Sequence, residues 1–264
     1  MKLGFVGGGM MAEAFIAGIL DKHVLEPEEI LVSEHNAARM KDLHEKYHVQ
    51  TFANASFIED VDMVFLAVKP NSAIAALEEI KVRLRKDTVL VSIVAGFPLA
   101  KLEKIVPGQP VIRVMPNTPV AVGAGMSAYA LGAYADAIAE ARLTELLHAS
   151  GKTICLQESL MDAVTGLSGS GPAFMFLVID ALSDGGVAAG LPRKAAVLLA
   201  AQTVFGAAKM VLETERHPDE LRDQVTSPNG TTIAGLRVLE ERAVRGAFLD
   251  AVVAAAEKSR NLGN

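Results

Sequence analysis

Short β-branched apolar runs alternate with helical stretches through the first 130 residues of the chain. Leu3–Val6 reads as a strand and Met10–Asp21 as a helix, followed by a strand over Ile30–Ser33 and a helix over Ala37–Tyr47. Val61–Val68 (VDMVFLAV) is almost continuously apolar, the pattern of a parallel strand covered on both faces. Lys69-Pro70-Asn71 breaks that run, and an alanine-rich helix follows to about Ile80. Val89–Val94 and Val111–Met115 repeat the strand pattern around a helix near Pro98–Ile105. Met126–Ala130 and Thr153–Leu156 read as closing strands on either side of a helix over Ala135–Ala149. The alternation predicts an α/β fold of βαβ units with right-handed crossovers on one mostly parallel sheet.

The texture changes after about Leu160. Strand signals stop, and helical segments follow one another: Met161–Leu167, Ala173–Ala189, Pro192–Glu213, Pro218–Val225, Thr231–Arg242 and Gly246–Arg260. Pro172, Pro192 and Pro218 stand where helices begin, the position proline tolerates best. Residues 1–158 are therefore expected to form one domain and residues 159–264 a second, all-helical one. Asp180, Asp184, Arg193 and Lys194 interrupt the apolar helical runs, so no membrane-spanning length is expected. So much apolar helix surface calls for a partner, and a second copy of the chain is the economical one.

Composition narrows the classes further. With 264 residues the chain can bury two cores rather than one. A net charge of −6 without blocks of like charge argues against a nucleic-acid partner. The single cysteine, Cys155, rules out an internal disulfide and offers no zinc-type spacing, which suits a reducing, cytoplasmic setting. Met1-Lys2-Leu3 runs directly into a strand, so neither a signal peptide nor a membrane partner is expected.

Chemistry first appears between the first strand and the first helix. Gly7-Gly8-Gly9-Met10-Met11-Ala12 has the G-x-G-x-x-A spacing of a dinucleotide turn. The first glycine permits the tight turn, the second lets a pyrophosphate approach the backbone, and Ala12 lets the helix lie against the strand. The helix N-terminus then offers unpaired N–H groups and positive dipole potential to the phosphates. A merely structural turn is the alternative. Glu34, at the end of the second strand, stands where an acidic side chain accepts from the adenosine ribose, or is a solvated surface residue. A 2′-phosphate there would meet a like charge, although Arg39 is close enough along the chain to swing in. The charge argument favours NADH over NADPH. Lys69, at the carboxyl end of the long buried strand, is a candidate for the ribose or a phosphate, with a solvent-facing lysine as the alternative. Asn54 and Val94-Ala95-Gly96 fall at matching strand edges.

Leu221–Glu240 (LRDQVTSPNGTTIAGLRVLE) carries a polar turn, Val225–Thr232, that opens a helix. Successive N–H groups with Ser and Thr hydroxyls at such a point suit a carboxylate-sized anion, and equally a plain N-cap loop. This segment resembles the signature of pyrroline-5-carboxylate reductases, enzymes of the last step of proline synthesis. GFVGGGMMAEA, LAVKP at residues 66–70 and AVTGLSGSGPAF at residues 163–174 resemble the same family, so the likeness spans nearly the whole chain.

The resemblance implies a Rossmann-type domain followed by an all-helical dimerisation domain, in dimers that often assemble into decamers. It implies a small-molecule substrate whose carboxylate is held by Ser227, Gly230, Thr231 and Thr232, with Thr232 also bonding the ring nitrogen. Glu158 and Gln224 fall at family positions near the substrate. The cofactor, NADPH or NADH, would be contacted by Gly7, Gly8, Gly9, Met10, Met11, Glu34, Asn54, Val68, Lys69, Pro70 and Ala95. Three positions depart from the family pattern: Met10 where Asn or Gln is frequent, an acidic Glu34, and Gln224 where Asn is common. The rival readings are another imine reductase, a β-hydroxyacid dehydrogenase, whose catalytic lysine Lys194 and Lys209 do not match, and a non-catalytic reductase-like regulator. Six histidines (His23, His35, His44, His48, His148 and His217) lie outside the substrate turn without metal spacing.

Overall fold

The computed structural model describes residues 1–263 and divides into two compact units, Met1–Ser170 with the segment from Ala254, and Gly171–Val253. Among the described residues the first unit holds an eight-stranded sheet in the order β3-β2-β1-β4-β5-β6-β7-β8. The strands are β1 Leu3–Val6, β2 Ile30–Ser33, β3 Gln50–Phe52, β4 Met63–Leu66, β5 Val89–Ser92, β6 Val111–Met115, β7 Gly125–Leu131 and β8 Gly151–Cys155. The pairings are parallel except for β6 with β7, which run antiparallel. Helices α1 Met10–Asp21, α2 Ala37–Tyr47, α3 Ala73–Ile80, α4 Leu99–Ile105 and α5 Ala137–His148 connect them.

Alternation along the strands sorts the core into two layers. Leu3, Phe5, Val32, Met63, Phe65 and Val91 point to the face covered by α1, α2 and α5, against Phe15, Ile16, Leu43 and Leu143. Val6, Leu31, Val64, Leu66 and Leu90 point to the other face, against Leu77 and Ile80 of α3 and Leu102 of α4. Both faces of the central strands are thus dry, which is why β1 and β4 read as unbroken apolar runs. The sequence pattern gives no sign of β3. It is a three-residue edge strand with partial burial, too short to show a period.

The change of texture near residue 160 does not coincide with the division into units. A short helix α6, Met161–Val164, and a π-turn over Thr165–Gly169 stay with the sheet. Met161 is buried in the second core layer, and Asn117 Nδ2 donates to the Ser168 carbonyl at 3.2 Å. The last helix returns to the same unit, where Ser259 Oγ donates to Asp162 Oδ1 at 2.7 Å.

The second unit contains α7 Gly171–Ala188, α8 Arg193–Thr214, α9 Pro218–Gln224, α10 Thr231–Glu241 and the start of α11 Val244–Gly263. Small residues bring α7 and α8 together: a Cβ on Gly186 would stand 3.1 Å from that of Ala196, and Ser183, Ala196 and Ala200 are buried. Arg193 pairs with Asp184 at 2.6 Å across the connection. The remaining faces are apolar and exposed in the single chain, including Phe176, Leu177, Leu198 and Phe205. One expectation is corrected here. By length and composition alone, Glu158–Ala188 and Arg193–Thr214 are apolar enough to cross a membrane. Asp180 and Asp184 stand near the end of the first span and Arg193 and Lys194 at the start of the second, so an eighteen-residue apolar window fits beside them in each.

Candidate active site

The order of strands places β1 between β2 and β4, so the crossovers leave β1 in opposite directions and open a crevice at the strands' carboxyl ends. A cleft of about 540 Å³ lies there. It is lined by residues that follow four successive strands in the sheet: Gly7 and Gly9 after β1, Glu34 and His35 after β2, Asn54 after β3, and Val68 and Lys69 after β4.

The turn after β1 is fixed by its neighbours. Gly7 has φ +100, and a Cβ there would stand 2.8 Å from the Ala67 carbonyl oxygen, so only glycine fits. Its N–H donates to the Ser33 carbonyl at 2.9 Å. The Gly8 N–H donates to Glu34 Oε2 at 3.0 Å, while its carbonyl accepts from Arg39 Nε at 2.7 Å. Gly9 differs: a Cβ there would meet nothing within 4 Å. The protein itself does not require a glycine at that point, and the space above it is what a pyrophosphate would fill. Gly9 is the N-cap of α1, and no side chain caps the helix, which leaves its first-turn N–H groups for an anion. Ala12 is fully buried against the sheet. These residues fit the phosphates of a dinucleotide.

The rest of the cofactor set is distributed unevenly. Met10 is 88% exposed and supplies no hydrogen bond to the turn, and Met11 is half-buried behind it. Pro70 opens the turn after Lys69. Ala95 is exposed beside Gly96, at the end of β5, and does not line the cleft. Glu34 is not a loose surface carboxylate, because its Oε1 also accepts from the Asn36 N–H at 3.0 Å. Arg39 does not swing toward it: Nη2 pairs with Glu13 at 2.5 Å and Nη1 with Asp42 at 2.6 Å. The sequence reading gave no site role to His35, Asn71 and Ser72, which also line the cleft. His35 lies two residues past the end of β2, and Asn71 and Ser72 lie in the turn that follows β4.

The polar turn lies in the second unit. The Gly230 N–H donates to the Ser227 carbonyl at 3.1 Å, closing the turn, and Gly230 caps α10 without a side-chain bond. The Ser227 hydroxyl packs over Gly230, where a Cβ would displace it. Ser227 and Thr231 are exposed and Thr232 half-buried at the helix start. Gln224, at the end of α9, is exposed, and its amide oxygen can face the Arg216 guanidinium. Glu158 belongs to the first unit and is engaged there. Its Oε1 accepts from Arg113 Nη1 at 2.9 Å and from the Leu99 N–H at 2.6 Å, tying β6 to the start of α4.

Comparison with known proteins bears on both regions. A family model for pyrroline-5-carboxylate reductase dimerisation matches residues 158–262. A second, described as NADP oxidoreductase, coenzyme F420-dependent, matches residues 2–96. A pyrroline-5-carboxylate reductase of Arabidopsis thaliana is 46% identical over 99% of this chain and 95% of its own. The chain belongs to the pyrroline-5-carboxylate reductase family. Among solved structures, the reductase of Coxiella burnetii superposes with a TM-score of 0.92 at 33% identity, covering 100% of this chain and 98% of that one. The Plasmodium falciparum pyrroline carboxylate reductase, solved with NADP bound, gives a TM-score of 0.89 at 31% identity over 100% and 98%. The Rossmann-type domain followed by a helical dimerisation domain is the architecture these relatives share with the chain.

Proposed function

We propose that this chain reduces Δ1-pyrroline-5-carboxylate to L-proline in the last step of proline synthesis, with NADH preferred over NADPH. Membership of the family over the full length supports the reaction. The observation that carries the cofactor choice is Glu34, a carboxylate held by two backbone N–H groups at the end of β2. The hydroxyls of an adenosine ribose are donors to such a group. A 2′-phosphate would be repelled by it, at a cost of about 1 kcal/mol even in water at contact distance and more in a cleft.

A bound nicotinamide dinucleotide supplies the hydride. The remaining work falls to the chain's own groups. Gly7, Gly9 and the N–H groups of Met10 and Met11 hold the pyrophosphate, and Asn54, Val68, Lys69, Pro70 and Ala95 border the rest of the cofactor. Ser227, Gly230, Thr231 and Thr232 hold the substrate carboxylate through N–H and hydroxyl donors. The Thr232 hydroxyl orients the ring nitrogen. As hydride adds to the imine carbon, the nitrogen gains a proton from water, so positioning contributes more than acid catalysis. Glu158 acts through Arg113 as a positioning group, and Gln224 shapes the approach to the turn.

A second copy of the chain covers the exposed apolar faces of α7 and α8, in preference to lipid, giving a dimer that can assemble further into a decamer. The setting is cytoplasmic, with no nucleic-acid or membrane partner. The test is substrate-dependent oxidation of NADH, with sedimentation to read the assembly. Oxidation without substrate dependence, or a monomer at working concentration, contradicts these readings.

A further inference from the structure

The charged cluster beneath the glycine turn takes no part in the reduction as described. Glu13, in the first turn of α1, accepts through Oε2 from Arg39 Nη2 at 2.5 Å. Through Oε1 it accepts from Lys46 Nζ at 2.7 Å and from the Tyr47 hydroxyl at 2.9 Å. Asp42 holds Arg39 Nη1 at 2.6 Å, and Arg39 Nε donates to the Gly8 carbonyl at 2.7 Å. Arg39 is therefore bonded through all three nitrogens. Burial by itself pushes the Glu13 carboxyl up, but the hydrogen bonds from Lys46, Arg39 and Tyr47 and the Arg39 charge outweigh it and bring it down to about 2. Glu13 stays ionised wherever the protein would work.

Arg39 and Glu34 bond the two sides of the same residue, one at the Gly8 carbonyl and the other at its N–H. Arg39 is thus a guanidinium tied to the same residue as Glu34, and each of its three nitrogens is already turned to another acceptor. We propose that Glu13 is a specificity-determining residue, which withholds Arg39 from the adenosine 2′ position and so acts with Glu34 in selecting NADH. The inference rests on the NADH reading above and names the device that maintains it. A lone Glu34→Ser substitution removes the repulsion but leaves Arg39 engaged. Freeing Nη2 of Arg39 requires the loss of Glu13 as well.

The test is the ratio of kcat/KM with NADPH to that with NADH, measured for four chains. These are wild type, Glu34→Ser, Glu34→Ser/Glu13→Gln and Glu34→Ser/Arg39→Ala. The Glu13→Gln double variant should raise the ratio about tenfold above Glu34→Ser, the worth of one charge-assisted hydrogen bond, through a lower KM for NADPH. Competition by adenosine 2′,5′-bisphosphate against AMP should shift in the same sense. The Arg39→Ala double variant should leave the ratio where Glu34→Ser put it. An unchanged ratio in the folded Glu13→Gln chain overturns the inference. So does a fall in the Arg39→Ala chain, because Arg39 would then already serve the phosphate. That second arm keeps Glu13 with Lys46 and Tyr47, and leaves the inference open to refutation even if Glu13→Gln does not fold. A wild-type ratio above one sinks the NADH reading itself, whereas a ratio below one with no Glu13 effect sinks only the role of Glu13.

Discussion

Two helices of this chain begin on a glycine with extended backbone and no side-chain cap, α1 at Gly9 and α10 at Gly230. Their surroundings differ sharply. The first turn is gripped from outside: Gly7 lies against the Ala67 carbonyl, and Gly8 is bonded at its N–H by Glu34 and at its carbonyl by Arg39. The second is closed by its own segment, through the bond from Gly230 to Ser227 and that from Thr226 Oγ to the Arg222 carbonyl. A preformed turn suits the large, constant part of a cofactor. A locally closed and exposed turn suits a small substrate whose carboxylate completes it. The comparison teaches that the same N-terminal donor geometry can be built by tertiary contacts or by a few neighbouring residues.

The contrast breaks first at Gly7. Gly7→Ala forces a Cβ onto the Ala67 carbonyl at a positive φ and should cost about 3 kcal/mol in urea unfolding, with cofactor titration weakened accordingly. Gly230→Ala has no positive φ to strain and meets the movable Ser227 hydroxyl, with the Ser227 carbonyl oxygen at 3.2 Å; it should cost about 1 kcal/mol, raising mainly the KM for the imine. Equal losses at the two positions would remove the distinction.

The next effect concerns acid stability of the gripped turn. The Glu13 carboxyl is lowered from 4.5 to about 2, so its contribution is fully present above pH 4.5 and is lost as the pH falls toward 2. Wild type should therefore lose about 2 kcal/mol over that window that Glu13→Gln, already lacking it, does not lose. Unfolding at neutral pH and at the acid end of the window checks the sign. A steeper acid loss in the variant would contradict it.

Thr232→Ala should lower kcat about tenfold with unchanged folding, since it deletes one oriented hydrogen bond while the remaining donors still hold the carboxylate. A variant with wild-type kcat and KM takes Thr232 out of the site. The smallest effect is at Met10, which is exposed and gives the turn no side-chain bond. Met10→Asn should lower the cofactor KM about threefold, and no change would mean the side chain stays clear of the ligand.

Much of the first unit was legible in the sequence, because buried parallel strands are apolar on both faces. Leu3–Val6, Ile30–Ser33 and Val111–Met115 read with the bounds they have in the fold. The run at Val61–Val68 overstated β4, which is Met63–Leu66, since Val61 is buried by packing without pairing. The reversed direction of β7 was not legible, as an apolar run carries no sign of its partner's direction. The glycine spacing located the tight turn between β1 and α1, but side-chain partners far apart in sequence stayed hidden. Glu158 finds Arg113 across 45 residues, and Arg39, expected to be free to swing, is engaged by Glu13 across 26. The tie of Glu158–Ser170 to the sheet was hidden for the same reason, because helical texture marks secondary structure and not the surface on which a segment rests.

The central claim is that the chain reduces Δ1-pyrroline-5-carboxylate with NADH as the better cofactor. Initial rates on that substrate, with each cofactor varied in turn, test it most directly. The account predicts oxidation that depends on the imine and a higher kcat/KM for NADH than for NADPH. The absence of imine-dependent oxidation, or a clear preference for NADPH, would contradict it.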